Sequence, residues 1–352
     1  MGRWGAQGEW IIEPLSQFVA IVQPTFEDLL PEGQGAFDGF LNDFVVMDDV
    51  PFHKPVVDIT PKYNILQRRD ASCELVYKQI GKFGMRDIET HELYGGTQMC
   101  KQEFYSQEGG ALRNFRDKDM DTFGKYITPF FLQACRMDMA SNVWFGDINR
   151  TNLSTYQFST CAFPGIFKWI STYIASGNIP TAQTFTPAAT DYRSPAHYQD
   201  AFNCFQTAWQ KQSVLMQNWP PASKIIYCDL AMLQGYREYM KQLGTTSDTI
   251  KVWFNDGVTD LDAFNGIPIA AVPVWEPILN DLNGNTGFHH AIILTIRKNF
   301  IFATDKNYGE GPDLNEALVI WYRRINLSWY YQQFLKGGTQ IAIPSMVVFG
   351  IC

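Results

Sequence analysis

Between residues 118 and 144 the chain carries Met120, Phe123, Ile127, Phe130, Phe131, Ala134, Met137 and Ala140 at spacings of three and four. That spacing predicts a helix with one apolar face. Asp117, Asp119 and Asp121 stand near its start, where the helix dipole favours acids. Gly146 and Asp147 end it. A helix of this length spans about 40 Å, well beyond the mean of about 12 residues in globular chains. The rest of the chain has to supply a body along that face.

The body reads as a mixture of strands and shorter helices. Residues 56–60 form one strand, and residues 73–82 and 85–93 form two longer ones, rich in β-branched, aromatic and charged side chains. Lys78, Lys82 and Arg86 gather towards a turn near Gly84. A long two-stranded hairpin is barely stable alone in water, and no neighbouring part of the sequence is suited to support this one. Helices follow at 163–176 and 195–217, with Pro164 and Pro195 suited to their first turns. Tyr198, Phe202, Phe205 and Trp209 line one face of the second. Residues 224–228 read as a buried strand, and Asp229 is placed to cap a helix that stops at Gly244. Residues 251–254 form a strand, and Asn265-Gly266 is a strong hairpin turn before Ile267-Pro268-Ile269. Further strands occupy 291–296, 300–303, 317–322 and 341–349. There is no regular strand–helix–strand alternation, so the class is α+β. A length of 352 residues suits about two domains, or one with large excursions.

The formal charge of −8 is uneven along the chain. Residues 1–50 contain nine acids and a single base, Arg3, whereas residues 51–106 hold eight bases and seven acids. An acidic segment is ordinarily a solvated tail. This one also carries Trp4, Trp10, Phe18, Phe26, Phe37, Phe40 and Phe44, more aromatics than a solvated tail needs. It reads as an extended arm, with room for one short helix, that packs on another surface. The aromatic fraction of 15% also suits a chain that buries surface against partners, although a large aromatic core would produce it equally well.

Several function classes find no support. No run of about 18 apolar residues suggests a membrane span, and no apolar region follows Arg3 as in a signal peptide. The seven cysteines (73, 100, 135, 161, 204, 228 and 352) are scattered without a CxxC pair. That argues for a reducing environment and against a zinc or disulfide scaffold; Cys135 and Cys161 lie in apolar contexts and read as inert. No phosphate-binding loop, dinucleotide fingerprint, nucleophile elbow or zinc-protease motif occurs. His289-His290 opens an apolar strand, where neighbouring side chains point to opposite faces and cannot easily share a metal; His91-Glu92 has the same defect. Arg68-Arg69 and Arg323-Arg324 are isolated pairs in a chain of pI about 5.2, a poor basis for a nucleic-acid groove. No catalytic residue, cofactor or metal site is predicted.

The order of elements resembles a known family. An acidic arm, a long hairpin, a long helix, a mixed body and returning strands look like the Hong Kong 97-type major capsid protein of tailed double-stranded DNA phages. The motifs sit in the C-terminal half. Residues 264–269 (Phe-Asn-Gly-Ile-Pro-Ile) resemble the family's Asn-Gly-Ile-Pro hairpin, and Val272-Pro273-Val274-Trp275 its following apolar strand. Residues 291–295 followed by 298–305 resemble its Asn-Leu-x-x-Gly-Thr-Asp segment, and residues 319–322 and 338–348 its last strands. The likeness is nearest to podovirus-like and crAss-like capsids.

The resemblance implies an N-terminal arm (1–50), an extended loop over a neighbouring subunit (51–106), a peripheral domain with the long spine helix (107–153) and an axial domain (154–318). Strands 319–352 would return through both domains. It implies self-assembly as hexamers and pentamers into an icosahedral virion shell around DNA, built in the host cytoplasm. Scaffolding, portal and decoration proteins are the implied partners. No helical scaffolding leader precedes residue 1, so that function is absent, already removed or supplied by another protein. The Lys and Asn that some members crosslink cannot be placed in this sequence, so no isopeptide bond is expected. The charge split adds an expectation of our own. Trp4, Trp10, Phe37 and Phe40 of the acidic arm, and Lys78, Lys82 and Arg86 of an adjacent hairpin, are the candidate inter-subunit contacts. An encapsulin-type compartment shares the fold and is the main alternative; an intracellular enzyme with a scattered site is the other.

Overall fold

The computed structural model describes residues 3–4, 10–11, 43–47, 50, 52–61, 81–100, 131, 134–135, 137–150, 160–188, 191–244, 248–254, 257–282, 289–304, 318–323 and 328–352. One seven-stranded mixed sheet runs in the order β7 (Thr184–Phe185), β16 (Val347–Ile351), β12 (Ala291–Ile296), β8 (Lys224–Cys228), β11 (Ile267–Ala271), β10 (Gly257–Phe264) and β9 (Asp248–Phe254). Its central strands are buried on both faces, which is why they read as continuous apolar runs rather than as an alternation. Ile225, Tyr227, Ala291, Ile293, Val347 and Phe349 face one core. Ile226, Cys228, Ile292, Leu294 and Val348 face another. Helices α3 (Tyr198–Gln210) and α5 (Leu230–Gln242) cover the second face through Ala201, Phe205, Leu233 and Tyr236. The first is covered by α1 (137–145), α2 (Ile166–Ala175) and α6 (Trp275–Leu282).

Local chemistry sets the connections of this sheet. Asn265 and Gly266 take φ values of 49° and 76°, the conformation of a two-residue hairpin turn, and Phe264 pairs with Ile267 across it. Asp229 caps α5 by accepting from the Met232 amide at 2.9 Å, and its other oxygen accepts from the Ala291 amide at 3.3 Å. Two expected elements differ. Residues 272–275 do not continue as a strand: the Val272 amide donates to the Cys228 carbonyl at 2.8 Å, and the chain turns into α6 with Trp275 fully buried. The helix expected at 195–217 divides, because Ser213 starts a separate short helix, α4 (Val214–Gln217), by accepting from the Met216 amide at 3.2 Å.

The other large sheet is organised by β15 (Ser328–Ile341). This strand pairs along one edge with β6 (His91–Cys100) over ten positions. Along its other edge it takes β14 (Leu318–Arg323) and then β13 (Phe300–Ala303). Both ends of the N-terminal arm join this sheet. β3 (Val45–Met47) runs parallel to β13, and β1 (Arg3–Trp4) pairs with β2 (Trp10–Ile11), which meets β14 at Trp10 opposite Tyr322. The described ends of the arm therefore pair within their own chain. The strand expected at 341–349 is also divided: β15 stops at Ile341, Pro344–Met346 make a single 3₁₀ turn, and β16 follows.

Where the two sheets approach, the end of α1 crosses the start of α2. The Gly165 amide donates to the Gly146 carbonyl at 2.8 Å, and the Asn142 side chain accepts from the Ala162 amide at 2.9 Å. A β-carbon on Gly146 would lie 2.0 Å from the Phe163 carbonyl oxygen, and one on Gly165 would lie 2.5 Å from the Gly146 nitrogen. Both glycines are set by this contact rather than by backbone conformation. Just inside it sits Trp144, fully buried, with ring centroids 5.3 Å from Tyr227, 4.9 Å from Trp275, 5.5 Å from Phe44 and 6.1 Å from Phe300. The helix ends at Gly146 as its sequence predicts; Met120, Phe123, Ile127 and Phe130 of its expected first half lie outside the described residues.

Gly146→Ala should lower the unfolding free energy by about 3 kcal/mol, since neither backbone can yield without moving a core helix. Urea unfolding checks this, and a loss below about 0.5 kcal/mol, the range of neutral surface changes, would contradict the close crossing. Trp144→Ala should cost about 3–5 kcal/mol in the same measurement.

Candidate assembly interface

The third sheet is a two-stranded ribbon. β4 (His53–Pro61) pairs antiparallel with β5 (Gly81–Glu89) over nine positions, from His53 opposite Glu89 to Pro61 opposite Gly81. Gly84 lies opposite Asp58 in the middle of the ribbon, so the hairpin expected to turn there is corrected: the partner of 81–89 is 53–61. The residues beyond Glu89 belong to β6 and the β15 sheet. Thr90 marks the change of sheet. Its amide donates to the Phe52 carbonyl at 2.9 Å and its hydroxyl to the Val50 carbonyl at 2.9 Å.

The base of the ribbon packs on the body. Val56 and Ile88 join a small core with Val50, Ile301 and Ala303. The Gln340 amide donates to the Asp87 carbonyl at 3.0 Å. The Arg86 guanidinium donates to the Ala342 carbonyl and lies 5.4 Å from the centre of the Tyr173 ring. β15 passes directly under the exit of β5, where a β-carbon on Gly338 would lie 2.0 Å from the Glu89 carbonyl oxygen. Beyond the base, the register places Val57 opposite Met85 and Ile59 opposite Phe83. Among the described residues no strand pairs with either ribbon edge.

Two exposed aromatics flank the ribbon base. Phe52 is 63% exposed, with the Lys336 ammonium 4.6 Å from its ring centre. Tyr94, on β6, is 62% exposed and lies along its strand, its hydroxyl 2.5 Å from where a β-carbon on Gly96 would stand. Sequence periodicity did not single out either residue, because exposure in a strand depends on which edge and face the sheet leaves open.

The candidate contact residues divide among these places. Arg86 is engaged inside its own subunit, as is the acidic Asp43, whose carboxylate accepts from Arg297 at 2.6 Å. Burial pushes the Asp43 carboxyl above its ordinary range against the opposing pull of Arg297. Lys82 stands opposite Thr60 in the ribbon, and Trp4 opposite Trp10 in the arm. Lys78, Phe37 and Phe40 lie outside the described residues. His290 is fully buried with Nδ1 3.1 Å from Asp229, and His289 Nδ1 lies 3.3 Å from the Cys352 carbonyl; both residues precede β12 rather than opening it. Burial raises the Cys135 thiol to about 12 and the Cys204 thiol to about 11, which suits inert core thiols. Among the described residues no three His, Cys, Asp or Glu side chains are placed to hold a metal ion, and no helix is long and apolar enough to cross a membrane.

No family model matches the sequence, and no curated protein matches it. Solved structures do match in shape. A chain of the satellite phage P4 procapsid is 11% identical with a TM-score of 0.51, the match covering 89% of this chain and 94% of that one. A capsid chain of an empty GTA particle is 10% identical with a TM-score of 0.51, covering 96% and 97%. An encapsulin chain from Synechococcus elongatus is 9% identical with a TM-score of 0.45, covering 87% and 84%. The first two follow this chain through nearly its whole length. The chain therefore has the Hong Kong 97-type fold of phage capsid subunits.

Proposed function

We propose that this chain is the major capsid protein of a tailed double-stranded DNA virus, a shell subunit that groups as hexamers and pentamers into an icosahedral head. The ribbon carries the reading. A two-stranded ribbon of this length is marginal by itself, and among the described residues no strand pairs with either of its edges, which leaves them for a neighbouring subunit to cover. In this reading residues 53–89 form the extended loop, the helix ending at Gly146 is the spine of the peripheral domain, and the sheet built on β8 and β12 is the axial domain. The last strands return to both bodies. The role is structural rather than catalytic. Scaffolding, portal and decoration proteins are the partners such a shell would use, and the virion its location. An acidic arm on the inner face would leave packaged DNA free to exit.

Overexpressed protein should form shells, tubes or five- and six-membered rings in negative-stain electron microscopy, with matching light scattering. A stable monomer at high concentration, even with a scaffold added, would refute the reading. Shells filled with protein rather than DNA in the native host would favour the encapsulin alternative. A second expectation concerns the basic positions on the ribbon side. Lys78→Glu with Lys82→Glu should lower assembly yield and change its salt response, each exposed pair contributing about 0–1 kcal/mol per subunit. Assembly unchanged at every ionic strength would remove those lysines from the interface.

A further inference from the structure

β8 and β11 run parallel and β12 antiparallel to them, so the starts of β8 and β11 and the end of β12 share one end of the sheet. The segment leading into β8 there presents apolar groups to solvent. Val214 is 75% exposed and Trp219 43% exposed, and every residue from Gln217 to Ala222 is exposed, including Pro220 and Pro221. Met216 of the same short helix is fully buried. The fold anchors this helix through Met216 and gains little from Val214.

The segment is firmly held. The Trp219 amide donates to the Met216 carbonyl at 3.1 Å, and the Ser223 amide and hydroxyl both donate to the Pro220 carbonyl, at 3.1 and 2.7 Å. The Arg297 amide donates to the Ser223 carbonyl at 2.9 Å. Two consecutive prolines fix the backbone between them. A contact made here would lose little conformational freedom on forming. Residues 213–223 also contain no charged side chain, in a chain whose net charge is −8. Copies of such a chain repel one another, and uncharged ground is where they approach at least cost. An exposed Trp on a rigid, uncharged loop has the character of an interface anchor.

We infer that this loop, with Trp219 and Val214 at its centre, is a contact between copies of this chain in the assembled shell. The inference rests on the assembly reading above but is independent of the ribbon. The test uses the full-length chain with Val214→Ser and Trp219→Ser together. The variant should keep the wild-type urea midpoint and need about a tenfold higher concentration to assemble, as loss of an anchor costs more than about 1 kcal/mol. Trp219→Phe should restore most of the loss. If the double variant unfolds early, a photo-crosslinking benzoylphenylalanine at position 219 decides instead. Crosslinked dimers of the chain support the contact, whereas crosslinks only to another protein, or none in assembled shells, overturn it. Assembly of the variant at the wild-type concentration overturns this inference alone, and a wild-type chain that never assembles overturns both readings.

Discussion

The burial of Trp144 ties the molecule together. Its ring meets Tyr227 from one sheet, Phe300 from the other, Trp275 from α6 and Phe44 from the end of the arm. Contacts of this edge-to-face kind add about 0.5–1.5 kcal/mol each to the burial of apolar area. They can form only if α1 ends where it does, because one residue further on the Gly146 backbone lies against Phe163 and Gly165. Helix α1, the two sheets and the end of the arm are therefore fixed by one aromatic cluster and the glycine crossing beside it. Interiors this close-packed do not yield smoothly, so the body behaves as a unit.

That firmness contrasts with the ribbon. The body satisfies its strands on both sides and both faces, as β8 and β12 show. The ribbon leaves its described edges without strand partners, and Val56, Ile88, Gln340, Arg86 and Thr90 hold its base to the body. Exposed edges invite pairing with other chains, and isolated proteins usually protect them. Edges without partners among the described residues suit the assembly proposed above. Arg86 links the two: it donates to the Ala342 carbonyl and lies against the Tyr173 ring, contacts inside the subunit that help to aim the ribbon.

Much of the body was legible in the sequence because its signals are local. The Asn265-Gly266 turn, the Asp229 cap and the stop at Gly146 each depend on one or two residues. Runs such as Ala291–Ile296 announce burial on both faces. Pairing was less legible, because strand register is set by what lies across and not by what lies next in sequence. Gly84 suggested a turn, yet a lone glycine also fits mid-strand. β15 escaped notice because its Gln332-Gln333 and Gly337-Gly338 pairs do not resemble a strand. It is one because β6, β14 and β13 flank it. Of the candidate contacts, residue type and charge pointed to the ribbon's bases, but only the fold shows that Arg86 is already engaged. Phe52, Tyr94 and Trp219 were invisible for the converse reason: an aromatic in sequence predicts burial, and these three are exposed.

The division between body and ribbon also constrains how such a chain is made. If the extension were needed to complete its own core, the subunit could not fold until neighbours arrived, and its open edges would meet other chains while the core was still exposed. Instead the core closes around Trp144 from residues within one chain. Phe52 and Tyr94 stand exposed outside that core. Under the assembly proposed above, contacts made there could each be weak, because a closed shell would repeat them on every subunit and binding at one position would raise the effective concentration at the next. Weak individual contacts let misplaced subunits leave, so a firm body with lightly anchored extensions suits a structure that has to close without error.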